Sequence, residues 1–451
     1  MLYTFKSIKH KQHLLQLPKL PQIARNLQTL FFPNDFRTTL IKTILHASRR
    51  IYITALYLEN DDGGQDILNA LYFAKKQRPN LEIYVLVDWH RAQRGLIGAH
   101  TNNINADWYC SISDQYSDIS VPIYGVPIHV REAFGVFHFK GFIIDEIVLY
   151  SGASLNNTYL HRHDEYRYDR YHVIHNSNLA NTMSMYIQNT LLTNNLAHRL
   201  DHNKRPKSAE IRHKIRKLRY NLRYCSYDVA SLASNNELAV TPLVGLGKHS
   251  ILNKTIHHLM CSVEVKMILC TPYFNMPSLL ISNIIKLLRQ HKQIEIIVGD
   301  KKANDFYIPE EKPFKMISIL PYFYEINLRR FINRLQNFIN NGQLIVRIWQ
   351  NAHHTFHIKG IWIDNEWQLI TGNNLNPRAW NLDLENAILI HDPKNQLYDQ
   401  HQKELQYIRK NTYMIQNYIE LETIQNYPIK VKKLIKRLSS MRIDRIISRI
   451  L

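Results

Sequence analysis

The sequence predicts an α/β protein made of two homologous halves that pack face to face around one shared site, followed by a basic helical tail. Two observations lead to this prediction. One motif, H-x-K-G-x-x-x-D, occurs twice, at 138–145 and at 357–364. A strand–helix–strand pattern precedes each copy, and such alternation is typical of a βαβ unit. Two halves with one motif each would bring both motifs together at their interface.

The first half begins with a strand at residues 51–58, where almost every side chain is apolar, as expected of a buried strand. A helix and three further strands follow, and the last of these strands contains the first motif. We expect them at residues 66–76, 81–88, 121–130 and 136–144.

The second half repeats this order of elements. Residues 279–290 carry apolar side chains at helical spacing, which predicts a helix with one buried face. Strands are expected before and after this helix, and the last of them contains the second motif. Their expected positions are residues 265–270, 294–300, 343–349 and 355–363.

These elements suggest four segments: a first half at 1–200, a connector at 201–235, a second half at 236–405 and a helical tail at 406–451. The connector is strongly basic between residues 204 and 223. A basic run of this kind is typical of a solvated helix face, and contact with anionic lipid headgroups is the functional alternative.

The end of the tail has the pattern of a basic amphipathic helix. Apolar residues recur at helical spacing from residue 428 onward, with a shift of register near 439–440. Such a helix is typical of an interfacial membrane anchor, although its apolar face could instead pack on the protein body. The basic residues expected to face the membrane are Lys430, Lys432, Lys433, Lys436, Arg437, Arg442, Arg445 and Arg449.

Composition restricts the partners and the compartment. The chain has 57 Lys and Arg against 37 Asp and Glu, a net charge of +20, which suits either nucleic acid or an anionic membrane surface. No apolar run reaches the roughly 18 residues of a membrane span, and the N-terminus lacks the features of a signal peptide. The chain has four cysteines, Cys110, Cys225, Cys261 and Cys270. They are expected to be reduced thiols of a cytoplasmic protein.

Neither a metal nor another cofactor is expected. The four cysteines lack metal-ligand spacing, and no Cys or carboxylate at ligand spacing accompanies His353, His354 and His357. The segment 245–248, Gly-Leu-Gly-Lys, fails the spacing of a Walker phosphate loop. It is either a plain turn or part of a substrate pocket.

The doubled motif is the main chemical signal. In an extended chain, residues two apart point to the same face, so His138 lies beside Lys140 and His357 lies beside Lys359. Each copy leads into a similar glycine and asparagine element, at 151–156 and at 371–376. A pair of such units could surround one phosphate group.

The pattern H-x-K-x4-D followed by a glycine and serine or asparagine element resembles the phospholipase D superfamily. In that family the two motifs meet across the interface between the halves. The resemblance implies that an acidic residue after each asparagine element orients the histidines. Asp169 and Glu385 are the matching residues in this chain, and capping or pairing within a strand is their alternative role.

This assignment supplies every part of a phosphodiester-cleaving site. One histidine can attack phosphorus and the other can protonate the leaving oxygen. The two lysines, with Asn156 and Asn376, can hold the non-bridging oxygens. We assign His138 as the nucleophile and His357 as the general acid and base from the habit of the family, although the internal symmetry permits the reverse.

The remaining motif residues are expected to support the motif strands or to contact phosphate. Asp145 and Asp364 close the two motifs and are expected to hold the motif strands in place rather than to act on phosphate. The asparagines lie four residues after Gly152 and Gly372, whereas three is the commonest spacing in the family. It is therefore open whether Ser154 and Asn374 make the contacts to phosphate that a serine makes elsewhere. The substrate-phosphate set is Asn156, Asn376, Ser154 and Asn374.

Within the superfamily the chain resembles bacterial phosphatidylserine synthases over nearly its whole length. Besides the motifs, the matching segments are 85–94, 105–110, 241–248, 299–307, 371–380 and the basic tail. The resemblance implies transfer of a phosphatidyl group from CDP-diacylglycerol to L-serine with release of CMP, in phospholipid biosynthesis. It also implies a cytoplasmic enzyme bound peripherally to the inner membrane.

Two other functions remain as alternatives. One is a phospholipase D-type phosphodiesterase or nuclease that uses water as the acceptor. The other is a membrane-binding protein without catalytic activity.

Overall fold

A computed structural model describes residues 2–94, 104–193, 196–229 and 233–440. Two mixed β-sheets, one in each half, lie on either side of a central interface, and most helices cover their outer faces. This arrangement confirms the predicted α/β fold with two homologous halves. No helix in the ranges given above combines the length and the apolar character needed to cross a bilayer.

The strands are numbered in chain order. They are β1 Leu20–Pro21, β2 Leu27–Leu30, β3 Arg50–Thr54, β4 Glu82–Asp88, β5 Ile123–Val126, β6 Gly141–Ile144, β7 Ile147–Ser151, β8 Arg167–Tyr168, β9 Tyr171–His175, β10 His198–Arg199, β11 Ala239–Leu246, β12 Lys266–Thr271, β13 Gln293–Gly299, β14 Leu344–Trp349, β15 Thr355–Phe356, β16 Gly360–Ile363, β17 Trp367–Thr371, β18 Leu384–His391 and β19 Thr412–Met414.

The helices are numbered in the same way. They are α1 Leu2–Leu15, α2 Pro33–His46, α3 Asp62–Gln77, α4 Trp89–Ala92, α5 Asn105–Gln115, α6 Asn157–Leu160, α7 Ser177–Tyr186, α8 Arg212–Leu222, α9 Ile251–Cys261, α10 Ser278–Arg289, α11 Leu320–Asn340, α12 Pro377–Asn381, α13 Tyr398–Arg409 and α14 Ile429–Ser440.

The strand order shows the duplication directly. The first sheet runs β10-β5-β4-β3-β6-β7-β9-β2, and the second runs β19-β14-β13-β12-β16-β17-β18-β11-β1. Each sheet contains three neighbouring parallel strands, namely β3 to β5 and β12 to β14, with an antiparallel edge strand, β10 or β19, beyond them. Antiparallel strands then continue the sheet from each motif onward. The two motifs therefore occupy equivalent positions in the two sheets.

Three large apolar clusters among the described residues lie between these layers. One lies between the first sheet and its helices, and another lies between the second sheet and its helices. The third is built from both halves, and it includes Phe137, Phe139 and Tyr150 of the first half with Val244 and Ile388 of the second. Since this central cluster contains the residues that flank His138, packing of the two halves also positions the site.

The N-terminal segment belongs to the second half, which the boundary at residues 1–200 does not anticipate. Strand β1 pairs with β11 of the second sheet, and Leu14 and Leu17 pack in the cluster of that half. At the other end, β19 extends the second sheet past residue 405. These pairings are long-range, so periodicity along the chain gives no indication of them.

Each expected motif strand is interrupted at its functional residues. Regular pairing within the sheet begins only at Gly141 and at Gly360, after the His-x-Lys segments. The expected strands at 136–144 and 355–363 are therefore too long. The reason is that both His-x-Lys segments pair with the opposite half.

The connector contains α8, whose apolar residues Ile215, Leu218 and Leu222 are buried while most of its bases face solvent. In the tail, α14 buries Val431 and Ile435 in a cluster with tyrosines of the protein body. The apolar face of this part of the tail therefore packs on the protein rather than facing outward.

This packing corrects the expected mode of membrane contact for residues 428–440. The lysines at 430, 433 and 436 and Arg437 are exposed, and Lys432 is half-buried. Of the other predicted membrane-facing bases, Arg442, Arg445 and Arg449 lie outside the described residues.

Candidate functional site

Each motif segment forms backbone hydrogen bonds with the opposite half. Phe137 forms a parallel bridge to Leu384, and the His138 N–H donates to the Leu384 carbonyl over 3.0 Å. In the second copy β15 pairs in parallel with β8, and the His357 N–H donates to the Tyr168 carbonyl over 2.8 Å. Because Glu385 follows Leu384 and Asp169 follows Tyr168, each pairing brings a carboxylate of one half to the histidine of the other.

The first of these pairs is His138 with Glu385. The Nδ1 atom of His138 lies 2.9 Å from each carboxylate oxygen, and both side chains are buried. A carboxylate accepts the Nδ1–H and thereby fixes the tautomer, which leaves the lone pair on Nε2. His138 is therefore held in the form that a nucleophile requires.

The second pair, His357 with Asp169, has additional partners. Asp169 Oδ2 lies 2.8 Å from His357 Nδ1 and accepts a hydrogen bond of 3.0 Å from Lys359 Nζ. Lys359 also contacts the ring of His357 directly. The hydroxyl of Tyr159 lies 3.0 Å from Nδ1 and 3.2 Å from Nε2 of the same ring. The two histidines thus have different surroundings despite the internal symmetry.

Lys140 is held by both halves. Its Nζ donates to Ser154 Oγ over 2.8 Å. Its backbone N–H and carbonyl each form a 2.7 Å hydrogen bond with the Asn386 side-chain amide from the opposite half. The side-chain amide of Asn386 therefore replaces the backbone partner that a neighbouring strand would provide, and it fixes the position of the first motif.

In the second copy, Arg170 occupies the position equivalent to Asn386. It donates to the carbonyls of Lys359 and Leu369, over 3.4 Å and 3.0 Å. It also forms a buried ion pair with Glu404, with Nε and Oε1 2.7 Å apart. A guanidinium thus fixes one lysine segment and an amide fixes the other.

The asparagines of the two elements cap short helices. Asn156 Oδ1 accepts from the Tyr159 N–H at the start of α6, and Asn376 Oδ1 accepts from the Ala379 N–H at the start of α12. The amide nitrogens are therefore the atoms that could donate to phosphate. Asn374, the counterpart of Ser154, has a buried Oδ1 without a hydrogen-bond partner among the described residues.

The glycines of both elements are required by close contacts across the interface. A Cβ atom on Gly152 would lie 2.8 Å from Lys359 Nζ and 2.8 Å from Asp169 Oδ2. A Cβ on Gly372 would lie 2.9 Å from Lys140 Cγ. Each glycine therefore makes room for the lysine of the opposite motif.

The aspartates that close the motifs lie at the far ends of β6 and β16. Asp145 accepts hydrogen bonds from three successive backbone N–H groups, at residues 48–50. Asp364 accepts from the N–H groups of residues 264–266 in the same way. Each carboxylate ties a motif strand to the loop before the adjacent central strand, which supports the expected role in holding these strands.

Several residues near His357 were not singled out from the sequence. Arg167 lies over the ring of Tyr159, with 4.8 Å from the guanidinium carbon to the ring centre, and pairs with Asp305 over 3.4 Å. Tyr273 donates to Asp305 over 2.6 Å, and its ring contacts His357 edge-on. Asp305 lies within the segment 299–307, which is one of the segments that resemble the family. This resemblance was the sequence feature that could have identified Asp305 as a site residue.

The pKa values of both histidines are lowered. Burial lowers the pKa of His138 well below its usual range, and the charges of Lys140, Lys359 and His357 act in the same direction. Burial and Lys359 lower the pKa of His357 to about 4, against the opposing effect of Asp169. Both rings are thus neutral at neutral pH, and one neutral imidazole is what nucleophilic attack needs.

Burial and neighbouring charges also shift the pKa values of the other groups in the site. Burial and Lys359 lower the pKa of Lys140 to about 7. Burial acts to raise the pKa of Asp169, but Lys359 and His357 outweigh it and hold this pKa at about 2. Burial, together with Asp383, raises the pKa of Glu385 well above its usual range. A phosphodiester anion would offset the excess charge and favour the charged form of both lysines.

The site itself offers no cluster suited to a metal. Among the described residues, a group of three histidine, cysteine or acidic side chains with sufficiently close ligand atoms occurs at His10, His257 and Cys261, on the outer side of the second half. The arrangement around the motifs is instead suited to attack by imidazole on phosphorus, with lysines to hold the oxygens.

Comparison with known proteins places these features in a family. Residues 256–409 match the family model described as "Cardiolipin synthase, PLD-like domain". The chain is 58% identical over 451 residues to CDP-diacylglycerol–serine O-phosphatidyltransferase of Escherichia coli strain K12, with 100% of both chains covered. It is 46% identical over 451 residues to the protein of that name from Haemophilus influenzae Rd, with 99% of both covered.

The likeness extends to three dimensions. The crystal structure of phosphatidylserine synthase from Haemophilus influenzae Rd KW20 matches with a TM-score of 0.96 and 46% sequence identity. The match covers 99% of this chain and 100% of that one. The fold is therefore shared from one end to the other.

Proposed function

Because this chain belongs to the phospholipase D-type family of CDP-diacylglycerol–serine O-phosphatidyltransferases, it synthesises phosphatidylserine, and we propose that the transfer proceeds through a phosphatidyl-histidine at His138. The substrates are CDP-diacylglycerol and L-serine, and the products are phosphatidylserine and CMP. The observation that supports the proposed route most strongly is the pair of crossed contacts, His138 with Glu385 and His357 with Asp169.

In the first step, Nε2 of His138 attacks the phosphorus that carries diacylglycerol. A P–N bond forms, and the P–O bond to the CMP phosphate breaks with its electron pair on the leaving oxygen. His357 supplies a proton to CMP. The negative charge of the diphosphate counters Lys359 and favours the protonated form of His357 before this step. Glu385 stabilises the positive charge that develops on His138.

In the second step, the serine hydroxyl attacks the same phosphorus. His357, now neutral, takes the hydroxyl proton, a P–O bond to serine forms, and the P–N bond to His138 breaks. Two displacements of this kind split one difficult reaction into two easier ones. Water that reaches the intermediate would give phosphatidic acid instead.

The phosphate oxygens are proposed to contact groups from both halves. Lys140 and Lys359 provide positive charge, and their positions are fixed by Ser154 and Asp169. The amide nitrogens of Asn156 and Asn376 are proposed as further donors, with Ser154 and Asn374 beside them. Asp145 and Asp364 act only by holding the motif strands.

The overall reaction is tested by incubating the purified chain with CDP-diacylglycerol and labelled serine. We expect CMP and labelled phosphatidylserine in equal amounts. Release of phosphatidic acid without phosphatidylserine would support hydrolysis, and cleavage of DNA or RNA at comparable rates would support a nuclease. No CMP release would contradict the enzymatic assignment, and the His357→Ala variant provides the inactive control.

The choice of nucleophile needs a separate experiment. His138 contacts a single carboxylate, whereas Nε2 of His357 also lies beside Tyr159, and this difference supports His138. Rapid quenching with CDP-diacylglycerol labelled in its lipid phosphate, followed by proteolysis under mild alkaline conditions, should locate the label on His138. A label on His357 would reverse the assignment.

We further propose that the enzyme works in the cytoplasm, bound peripherally to the anionic inner membrane. The exposed bases of α14 support this proposal, and because the apolar face of α14 is buried, the contact made by residues 428–440 is electrostatic. Each base near such a surface is worth about 1 kcal/mol, so the contact weakens with salt.

Flotation on vesicles with varied anionic lipid content tests this contact. The double variant Lys433→Glu, Lys436→Glu should bind anionic vesicles about tenfold more weakly or worse. The matched control is Lys214→Glu, Lys217→Glu on α8, which has the same spacing and similar exposure. Equal binding by the α14 variant and the unchanged chain would contradict the proposal, and weaker binding by the control alone would move the contact to the connector.

A further inference from the structure

Four histidines and one cysteine meet where α1 lies against α9, away from the catalytic site. His10 and His13 come from α1, and His257, His258 and Cys261 come from α9. Ligand atoms of His10, His257 and Cys261 all lie within 4.8 Å of one another. These side chains are half-buried, so an ion from solution can reach them.

The spacing within α9 is that of a ligand pair on a helix. His257 and Cys261 are four residues apart and so lie on one face. Nδ1 of His257 and Sγ of Cys261 are 3.9 Å apart. Two such atoms bound to one tetrahedral zinc ion, with bonds of roughly 2.0 and 2.3 Å, would be about 3.5 Å apart. A small rotation of either side chain closes this difference.

The helix α1 completes the set from the other side. Nδ1 of His10 lies 2.9 Å from Nδ1 of His258. His13 stacks on His258 with ring centres 3.9 Å apart, and its Nε2 is buried without a hydrogen-bond partner among the described residues. Nδ1 of His257 also lies 2.9 Å from Nδ2 of Asn283, so a metal ion on Nδ1 would replace this hydrogen bond.

We propose that His10, His257 and Cys261 bind one Zn²⁺ ion that fastens the N-terminal helix to α9. Imidazole and thiolate ligands without carboxylates select zinc over magnesium or calcium. Binding releases the thiol proton of Cys261 and leaves a thiolate on the metal. The ion adds a cross-link to the contacts that already hold α1, such as the 2.9 Å ion pair of Lys11 with Glu366.

Nearby lysines and the cysteine thiolate have opposite effects on a bound cation. Lys254 and Lys286 repel a cation, and the thiolate formed on binding offsets this repulsion.

Cobalt provides a direct optical test, because Co²⁺ occupies zinc sites and a bound thiolate gives a charge-transfer absorption. The full chain, freed of metal with a chelator, is titrated with Co²⁺ and then with Zn²⁺. We expect one Co²⁺ per chain with a thiolate band, and loss of the band as Zn²⁺ displaces Co²⁺. No band at one equivalent would overturn the proposal.

Two variants and one control link the signal to these residues. Cys261→Ser should remove the thiolate band, and His257→Phe should weaken Co²⁺ binding about tenfold or more. Cys225→Ser removes another half-buried thiol and should leave the titration unchanged. A band that persists in Cys261→Ser, or disappears in Cys225→Ser, would contradict the assignment. Circular dichroism verifies that each variant is folded.

Thermal unfolding provides a second readout that does not depend on catalysis. Zn²⁺ should raise the melting temperature of the unchanged chain and of Cys225→Ser, since a ligand that binds only the folded state stabilises it. Cys261→Ser and His257→Phe should show a smaller rise. An equal rise in all four proteins would mean that Zn²⁺ binds elsewhere and would contradict the proposal.

Discussion

At the scale of single residues, the two motif histidines differ because their carboxylate partners differ. Glu385 contacts only the ring of His138 within the described site, whereas Asp169 is shared between His357 and Lys359. The shared carboxylate has a lowered pKa and the unshared one has a raised pKa. A more basic carboxylate holds the Nδ1 proton of His138 more strongly, which favours attack from Nε2.

Replacement of Glu385 tests this argument. Glu385→Gln keeps the size of the side chain but no longer fixes the tautomer or stabilises the charge on His138. We expect kcat to fall about 10²- to 10⁴-fold, the range for loss of acid–base support, with a smaller change in KM. Steady-state CMP release measures both, and Glu366→Gln, distant from the site, is the control. A kcat within twofold of the unchanged chain would contradict the role of Glu385.

The pKa of Lys140 predicts a pH dependence. This pKa is lowered to about 7, so the charged form that holds phosphate predominates below that value and is lost as the pH rises through it. The kcat/KM for CDP-diacylglycerol should therefore decline on the alkaline side of about pH 7. In Lys140→Arg the guanidinium stays charged, so this decline should move to higher pH even though kcat is reduced. An unchanged alkaline limb in the variant would assign it to another group.

At the scale of elements, the second motif strand depends on the start of β9. Arg170 donates to the carbonyl of Lys359, directly before β16, and to that of Leu369 in β17, and it pairs with Glu404 of α13. Its guanidinium also lies over the ring of Trp362, 4.1 Å from the ring centre. One buried side chain therefore links a strand of the first half to a strand and a helix of the second half.

Arg170→Met tests this link because it keeps much of the volume and removes the charge. It leaves Glu404 buried without its cation, so we expect a loss of about 3–5 kcal/mol in the free energy of unfolding. Urea unfolding measures the loss. The exposed pair Arg49 with Glu146 is the control, and Arg49→Met should cost about 1 kcal/mol or less.

The pH dependence of this effect follows from Glu404, whose pKa is lowered by Arg170 although burial acts to raise it. In the unchanged chain this carboxylate stabilises the fold above its unfolded pKa, and the contribution is lost as the pH falls through the folded pKa. In Arg170→Met, protonation removes the unpaired charge. The two proteins should therefore become more similar in stability at low pH, and a difference independent of pH would contradict the charge argument.

At the scale of the whole molecule, the site is built from contacts that cross between two homologous halves. Each half supplies a His-x-Lys segment and a carboxylate, but each histidine is served by the carboxylate of the other half. Neither half therefore contains a working histidine pair. One complete chain contains all the parts.

Mixing two inactive variants tests this conclusion. The His138→Ala and His357→Ala proteins are co-expressed with different tags and purified through both tags. Because both crossed contacts form within one chain, neither variant should restore the activity of the other. Activity equal to the sum of the two variants is the expected result. Recovery of a substantial share of the unchanged activity would mean that the site forms between chains, and a variant paired with the unchanged chain is the positive control.

The sequence alone determined the duplicated α/β fold and the two His-x-Lys motifs. Both depend on local periodicity and on short strings, which a linear chain displays directly. Asp169 and Glu385 were expected only from the resemblance to a family. The strand order and the match to known relatives confirm the fold class and the reaction. The sequence also showed the Gly-x-x-Leu-Asn elements. It did not show why each element needs a glycine, because that reason is a close contact with the opposite half.

Only the tertiary structure decided which partners these residues have. In the folded chain, each histidine contacts the carboxylate of the other half, and β1 pairs with the second sheet. The apolar face of α14 is buried, and Arg167 and Asp305 lie near His357. The tertiary structure also joined His10 to His257 and Cys261. All of these are contacts between distant segments, fixed by the packing of two sheets against each other. A sequence specifies which groups are present, while their distances and their pKa values depend on what burial brings beside them.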